Sequence, residues 1–132
     1  MKLFKTFIFI VFVIFTSHSF SQNITTADCT VLKNCKLKYF DLDDTTAYVT
    51  IKANRHTEYI NGGKNFIKSN LDWINDCEYI ATIIEINIDH SPFVIGDKMN
   101  VKFDKIENGI VYYTANFNGD KMTGKFKLVL NK

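Results

Sequence analysis

Met122, Thr123, Gly124, Lys125, Phe126, Lys127, Leu128, Val129 and Leu130 (MTGKFKLVL) form the stretch that decides the fold. Met122, Gly124, Phe126, Leu128 and Leu130 fall on one face of an extended chain, with Thr123, Lys125 and Lys127 opposite. A period of two marks a half-buried strand, whereas an amphipathic helix would repeat every 3.6 residues. The same period recurs toward the N-terminus. Ala47, Val49, Ile51 and Ala53 alternate with Thr46, Tyr48, Thr50 and Lys52, and Met99, Val101 and Phe103 alternate with Lys98, Asn100 and Lys102. Ile80, Ile84, Ile86 and Ile88 are assigned to one face of a longer run from Cys77. The abundance of Ile, Val, Thr, Tyr and Phe agrees with strands.

Turn signals separate these runs. Asn108-Gly109 and Asn118-Gly119-Asp120 are hairpin signals, because the tight turns that match strand twist need residues tolerant of positive φ. Asn61-Gly62-Gly63 divides two further segments, and Asp89 to Pro92 with Gly96-Asp97 brackets a bend around the single proline. The apolar register moves from Phe103 to Ile106, which predicts a bulge or an early strand end. Lys64 to Asp76 reads as two short strands, or a strand and a bend. Strands recurring every eight to twelve residues with turns between them point to an all-β antiparallel meander. About seven or eight strands are expected, curled into a small barrel or a half-open barrel.

The N-terminus has a different logic. Lys2 and Lys5 precede an unbroken apolar run from Phe7 to Phe15, followed by Ser19-Phe20-Ser21 before Gln22. That is the order of a secretory signal peptide, and the run is too short to span a bilayer. Residues 1–21 are therefore expected to be a signal and residues 22–132 a single β-domain that is exported to the periplasm or beyond. Removing Lys2 and Lys5 from the 16 basic residues leaves 14, equal to the 14 acidic ones. The apparent excess of positive charge belongs to the signal. Arg55 is the only arginine, and no basic cluster is evident in the sequence to recommend nucleic acid as a partner. Cys29 lacks a lipobox-like context, which argues against a lipid anchor.

Three cysteines remain: Cys29, Cys35 and Cys77. Export permits one disulfide with one thiol left over. Cys29–Cys77, Cys35–Cys77 and a small Cys29–Cys35 loop are all open on spacing alone. The spacing gives neither a Cys-x-x-Cys redox motif nor paired zinc ligands. Asp41, Asp43 and Asp44 resemble the start of a calcium loop, but Thr46 and Lys52 stand where Gly and Glu are required, so a turn is the better reading. No metal site and no cofactor is expected. No Ser-His-Asp elbow, phosphate-cradling glycine loop or His-Glu-x-x-His is present, so no catalytic role is expected either.

Four residues are candidates for ligand contact. His56 and Glu58 share a face of one alternating segment, and a carboxylate aimed into a barrel could hold a polar group; the alternative is a solvated strand face. Trp73 and Tyr79 flank Cys77, where the alternative for Trp73 is packing beside a disulfide.

Cys29-x5-Cys35-x-Leu37-x-Tyr39, followed by Ile51, Glu58 and Trp73-x2-Asp76-Cys77-x-Tyr79, resembles a group of uncharacterised small exported proteins of Bacteroidetes-type bacteria. That group opens with Cys-x5-Gly-x-Phe-x-Tyr and carries Trp-x2-Asp-Cys-x-Tyr at its centre. Its opening is reminiscent of lipocalin-like barrels. The resemblance covers about residues 29–88. It implies a Cys29–Cys77 disulfide and leaves Cys35, which stands where the group has glycine, as the free thiol. Leu37 stands where the group has phenylalanine. The leading expectation for function is a non-catalytic module that binds a small apolar or amphipathic ligand. An interior cavity of a few hundred Å³ would carry that reading. The second expectation is an interaction or inhibitor module of the cell envelope, which would show an exposed apolar patch.

Overall fold

The computed structural model describes residues 28–40 and 42–129. The segment 1–21 expected to be a signal, its expected cleavage site and Leu130 lie outside the described residues. Eight strands follow in chain order: β1 Asn34–Tyr39, β2 Tyr48–Lys52, β3 Arg55–Ile60, β4 Asn65–Asn75, β5 Glu78–Ile86, β6 Lys98–Glu107, β7 Ile110–Phe117 and β8 Asp120–Val129. Each pairs antiparallel with the next, and β8 returns to β1 to close the barrel. Closure places Leu37 opposite Leu128 and Tyr39 opposite Phe126. Cross-strand partners share a face, so the inward residues of the first and last strands meet and no edge is left unpaired.

The turns follow the sequence signals. Asn108 and Gly109 have φ of 53° and 76°, and Asn118 and Gly119 have 51° and 85°, as the predicted hairpins require. The bulge expected after Phe103 is present: Phe103 pairs with Tyr113 and Lys105 with Tyr112, so Asp104 is the extra residue and Ile106 regains the inner face.

Three expectations need correction. Lys64 to Asp76 contains one long strand, β4, rather than two short elements. Its inward face is Ile67, Ser69, Leu71 and Trp73, and the buried Ser69 interrupts the apolar signal there. The isoleucines of β5 do not share a face. Tyr79 and Ala81 are buried, and Ile83 joins them inside. Ile84 is then an extra residue between Ile83 opposite Ser69 and Glu85 opposite Lys68, and this bulge exchanges the faces. Ala53 does not extend β2. It has φ of 52° and, with Asn54, forms the two-residue turn to β3.

The core occupies one end of the barrel. There the short 3-10 helix Thr30–Lys33 lays Leu32 across the opening with no exposed surface, above Leu37, Ile51 and Phe103. The Cys29–Cys77 disulfide, with a Cα–Cα distance of 5.1 Å, ties this segment to the β4–β5 turn. Lys33 Nζ donates to Asp76 Oδ1 at 2.7 Å across the same join. The other end carries the two long loops, 40–47 and 87–97. Asp44 holds the first of them, accepting from the Thr46 backbone N–H at 2.9 Å and the Asn61 backbone N–H at 2.8 Å. This is the turn role expected for the aspartates; Asp41 lies outside the described residues.

The outer surface mixes aromatic and aliphatic residues such as Tyr59, Phe66 and Ile80 with a set of lysines. Lys36, Lys38, Lys68, Lys102, Lys125 and Lys127 all point outward by register. Closure also brings two lysines together across one seam. It brings β1 beside β8 and sets Lys38 directly opposite Lys127, a pairing of like charges that the linear sequence conceals.

Candidate functional site

Above the packed end the barrel encloses a cavity of about 300 Å³ that opens between the two long loops. The space exists because inward positions change size along the barrel. The closed end is filled by Leu32, Ile51, Phe103 and Val111, whereas the upper wall has Ala81 on β5 and Ala115 on β7. Phe93, Phe117, Leu42 and Met122 border the mouth, and the Phe93 and Phe117 rings pack edge to face at 5.3 Å.

Inside this apolar wall lies one polar region. His56 and Glu58 of β3 both line the cavity, which sets aside the solvated-face alternative. The register explains it: His56 lies opposite buried Ile51, and Glu58 opposite buried Val49. Tyr39 of β1 donates its hydroxyl to Glu58 Oε1 at 2.5 Å. Tyr79 of β5 and Tyr113 of β7 line the same space. The Tyr113 ring stacks on Phe126 at 4.5 Å, and Tyr39 meets Phe126 at 5.0 Å. Gly124 makes that arrangement feasible, because a Cβ there would come within 2.5 Å of Tyr113 Oη.

Burial sets the charge states. It holds the Glu58 carboxyl above its ordinary value, against the opposing hydrogen bond from Tyr39. It pushes His56 down to about 4, so the imidazole is neutral at pH 7. Tyr39, Tyr79 and Tyr113 are all raised, by burial first, and the charge of Glu58 adds to the effect in each. All three phenols therefore keep their protons. No hydrogen-bond partner faces His56 Nδ1 among the described residues. No group of three or more potential metal ligands forms among the described residues, so the His56–Glu58 pair does not extend to a metal cage.

The shifts make a stability prediction. As the pH falls, the unfolded chain protonates at His56 near 6.5, before the folded protein does near 4. His56 thus contributes stability that is fully present above about pH 6.5 and is lost on descent toward pH 4. The interval corresponds to roughly 3 kcal/mol. Glu58 acts in the opposite sense, because its ionisation is disfavoured in the folded state and that cost is relieved as it takes up a proton. Urea unfolding of the wild type and of His56→Gln across pH 7 to 4 checks this. The variant should show a shallower acid decline, and an identical decline would refute the assignment.

Of the four candidate contact residues, the structure gathers His56, Glu58 and Tyr79 and leaves Trp73 elsewhere. Trp73 does not line the cavity. It packs edge-on against Tyr79 at 5.1 Å at the closed end, and its Nε1 donates to the Ala53 carbonyl at 3.1 Å, clamping the β2–β3 turn. Tyr39, Tyr113 and Phe126 were not singled out as contact residues. The parity of β8 placed Phe126 inward, and the same test applied to β7 would have placed Tyr113 there. Cys35 is the free thiol and is half-buried. Its Sγ donates to the Leu32 carbonyl at 3.4 Å, and burial pushes it up to about 12, so it packs as a hydrophobe rather than reacting. Comparison with protein-family models, curated proteins and solved structures finds no match for the chain.

Proposed function

We propose that this is an exported, non-catalytic binding protein that holds one small apolar or amphipathic ligand inside a lipocalin-like barrel. The observation that carries the reading is the cavity: about 300 Å³, largely apolar, open at one end and plugged at the other. Small-molecule sites are commonly concave spaces of this order with a few placed polar groups. The disulfide supports work in an oxidising compartment. In this reading the polar pair His56 and Glu58 orients a ligand within the apolar wall.

Titration with uncharged N-phenyl-1-naphthylamine tests the reading. Its fluorescence should rise on entering the apolar wall and saturate at one probe per chain with a micromolar Kd. Absence of saturable binding would refute an interior site. The alternative reading, an interaction or inhibitor module of the cell envelope, draws on Val94 and Ile95, which are 60% and 65% exposed in the 87–97 loop. It predicts a protein partner whose binding is lost in Val94→Ser/Ile95→Ser while probe binding persists.

A further inference from the structure

The polar region of the cavity has a definite sign. Glu58 is the acidic group inside the wall, and its one hydrogen-bond donor among the described residues is the neutral Tyr39 hydroxyl. The cation among the described lining residues is Lys98, which begins β6 at the mouth beside Asp97. No cation from the wall faces Glu58 at its own depth. The groups around it are neutral: His56 from its own strand, Tyr39 from β1, Tyr79 from β5 and Tyr113 from β7. An isolated carboxylate in an apolar wall is costly unless a partner neutralises it. An anionic ligand would meet like charge there, and a neutral apolar one would leave the carboxylate uncompensated.

A cation meets every group present. An ammonium has three donors and no acceptor, which suits a carboxylate and an unprotonated imidazole. His56 and Glu58 sit two residues apart on one face of β3, a separation of about 6.6 Å along the strand. One small head group can lie between them. The tyrosine rings add a second attraction, since an aromatic face draws a cation strongly when both are removed from water. Tyr39 and Tyr113 are already held by ring contacts with Phe126, tilted for the first and stacked for the second, so little ordering remains to be done on binding.

Resting on the interior-site reading above, we propose that the ligand is an amphipathic amine, its ammonium held by Glu58 within the Tyr39, Tyr79 and Tyr113 rings and its apolar body directed toward Phe93 and Phe117 at the mouth. The barrel then discriminates by charge at its inner end and by apolar fit at its outer end.

A matched series with one apolar body separates the claims. Calorimetric titration at pH 7 would compare 2-phenylethylammonium, 2-phenylethanol and 3-phenylpropanoate. The ammonium should bind at least tenfold tighter than the alcohol, and the carboxylate should bind weakest. Glu58→Gln, which keeps an acceptor for Tyr39, should erase the tenfold preference and leave alcohol binding within twofold. Glu58→Asp, which keeps the charge, should retain most of the preference. Melting curves confirm that each variant is folded. Equal binding of ammonium and alcohol by the wild type, or a preference that survives Glu58→Gln, would overturn the amine assignment. If the naphthylamine probe binds while the ammonium gains nothing, that assignment alone falls. If neither probe nor series binds, the interior site fails with it.

Discussion

Replacing Cys29 and Cys77 together by serine is expected to lower the melting temperature by about 20 °C. The bridge spans 48 residues of sequence, and constraining a loop of that length in the unfolded chain stabilises the fold by roughly 4 kcal/mol. For a domain of this size each kcal/mol moves the midpoint by about 5 °C. The folded side adds to the effect. The bridge holds the segment that carries Leu32, and Leu32 completes the core at the closed end. The double variant avoids exposing one partner thiol to Cys35. Cys35 itself is a poor agent of disulfide exchange, because at about 12 it supplies almost no thiolate at neutral pH. Thermal unfolding followed by circular dichroism measures the shift. A change of less than about 5 °C would mean that the plug is held by packing alone.

Ala115→Phe is expected to weaken binding of the naphthylamine probe roughly 50- to 100-fold while leaving the protein folded. Ala115 lies on the inner wall between Val101 of β6 and Met122 of β8, and is 2% exposed. A phenyl ring there projects into the cavity and occupies space that a ligand would use. Losing about 100 Å² of apolar contact corresponds to roughly 2.5 kcal/mol, which sets the factor. Since the ring enters open volume, the strain of overpacking is expected to stay near the low end of about 1–3 kcal/mol. Fluorescence titration alongside a melting curve separates loss of the site from loss of the fold. Undiminished binding by the folded variant would place the probe on the surface.

Much of the architecture was legible because the chain is locally consistent. The MTGKFKLVL alternation, the two Asn-Gly turns and the register change after Phe103 all carried through into β6, β7 and β8. The misreadings have particular causes. Ser69 on an inward position broke the apolar rhythm of β4, and the extra Ile84 exchanged the faces of β5 within a continuous isoleucine run. Barrel closure was not readable, since no local pattern announces that Leu37 will lie against Leu128. The site was legible in part. His56 and Glu58 stood out as polar residues sharing one face of an alternating segment, but only their pairing with buried Ile51 and Val49 turns that face inward, and Tyr39 and Tyr113 join them only when strands distant in sequence come together. Trp73 stood out for its place near Cys77, and its position beside the core explains its presence without a ligand.

On the proposed function a ligand sits inside the barrel. Intermolecular nuclear Overhauser effects from bound N-phenyl-1-naphthylamine to methyl-labelled protein test it most directly. A ligand inside the barrel should give contacts to the methyls of Ala81, Met99, Val101 and Ala115, all of which line the cavity. Contacts confined to Val94 and Ile95 on the exposed loop, with none to the inner wall, would contradict it.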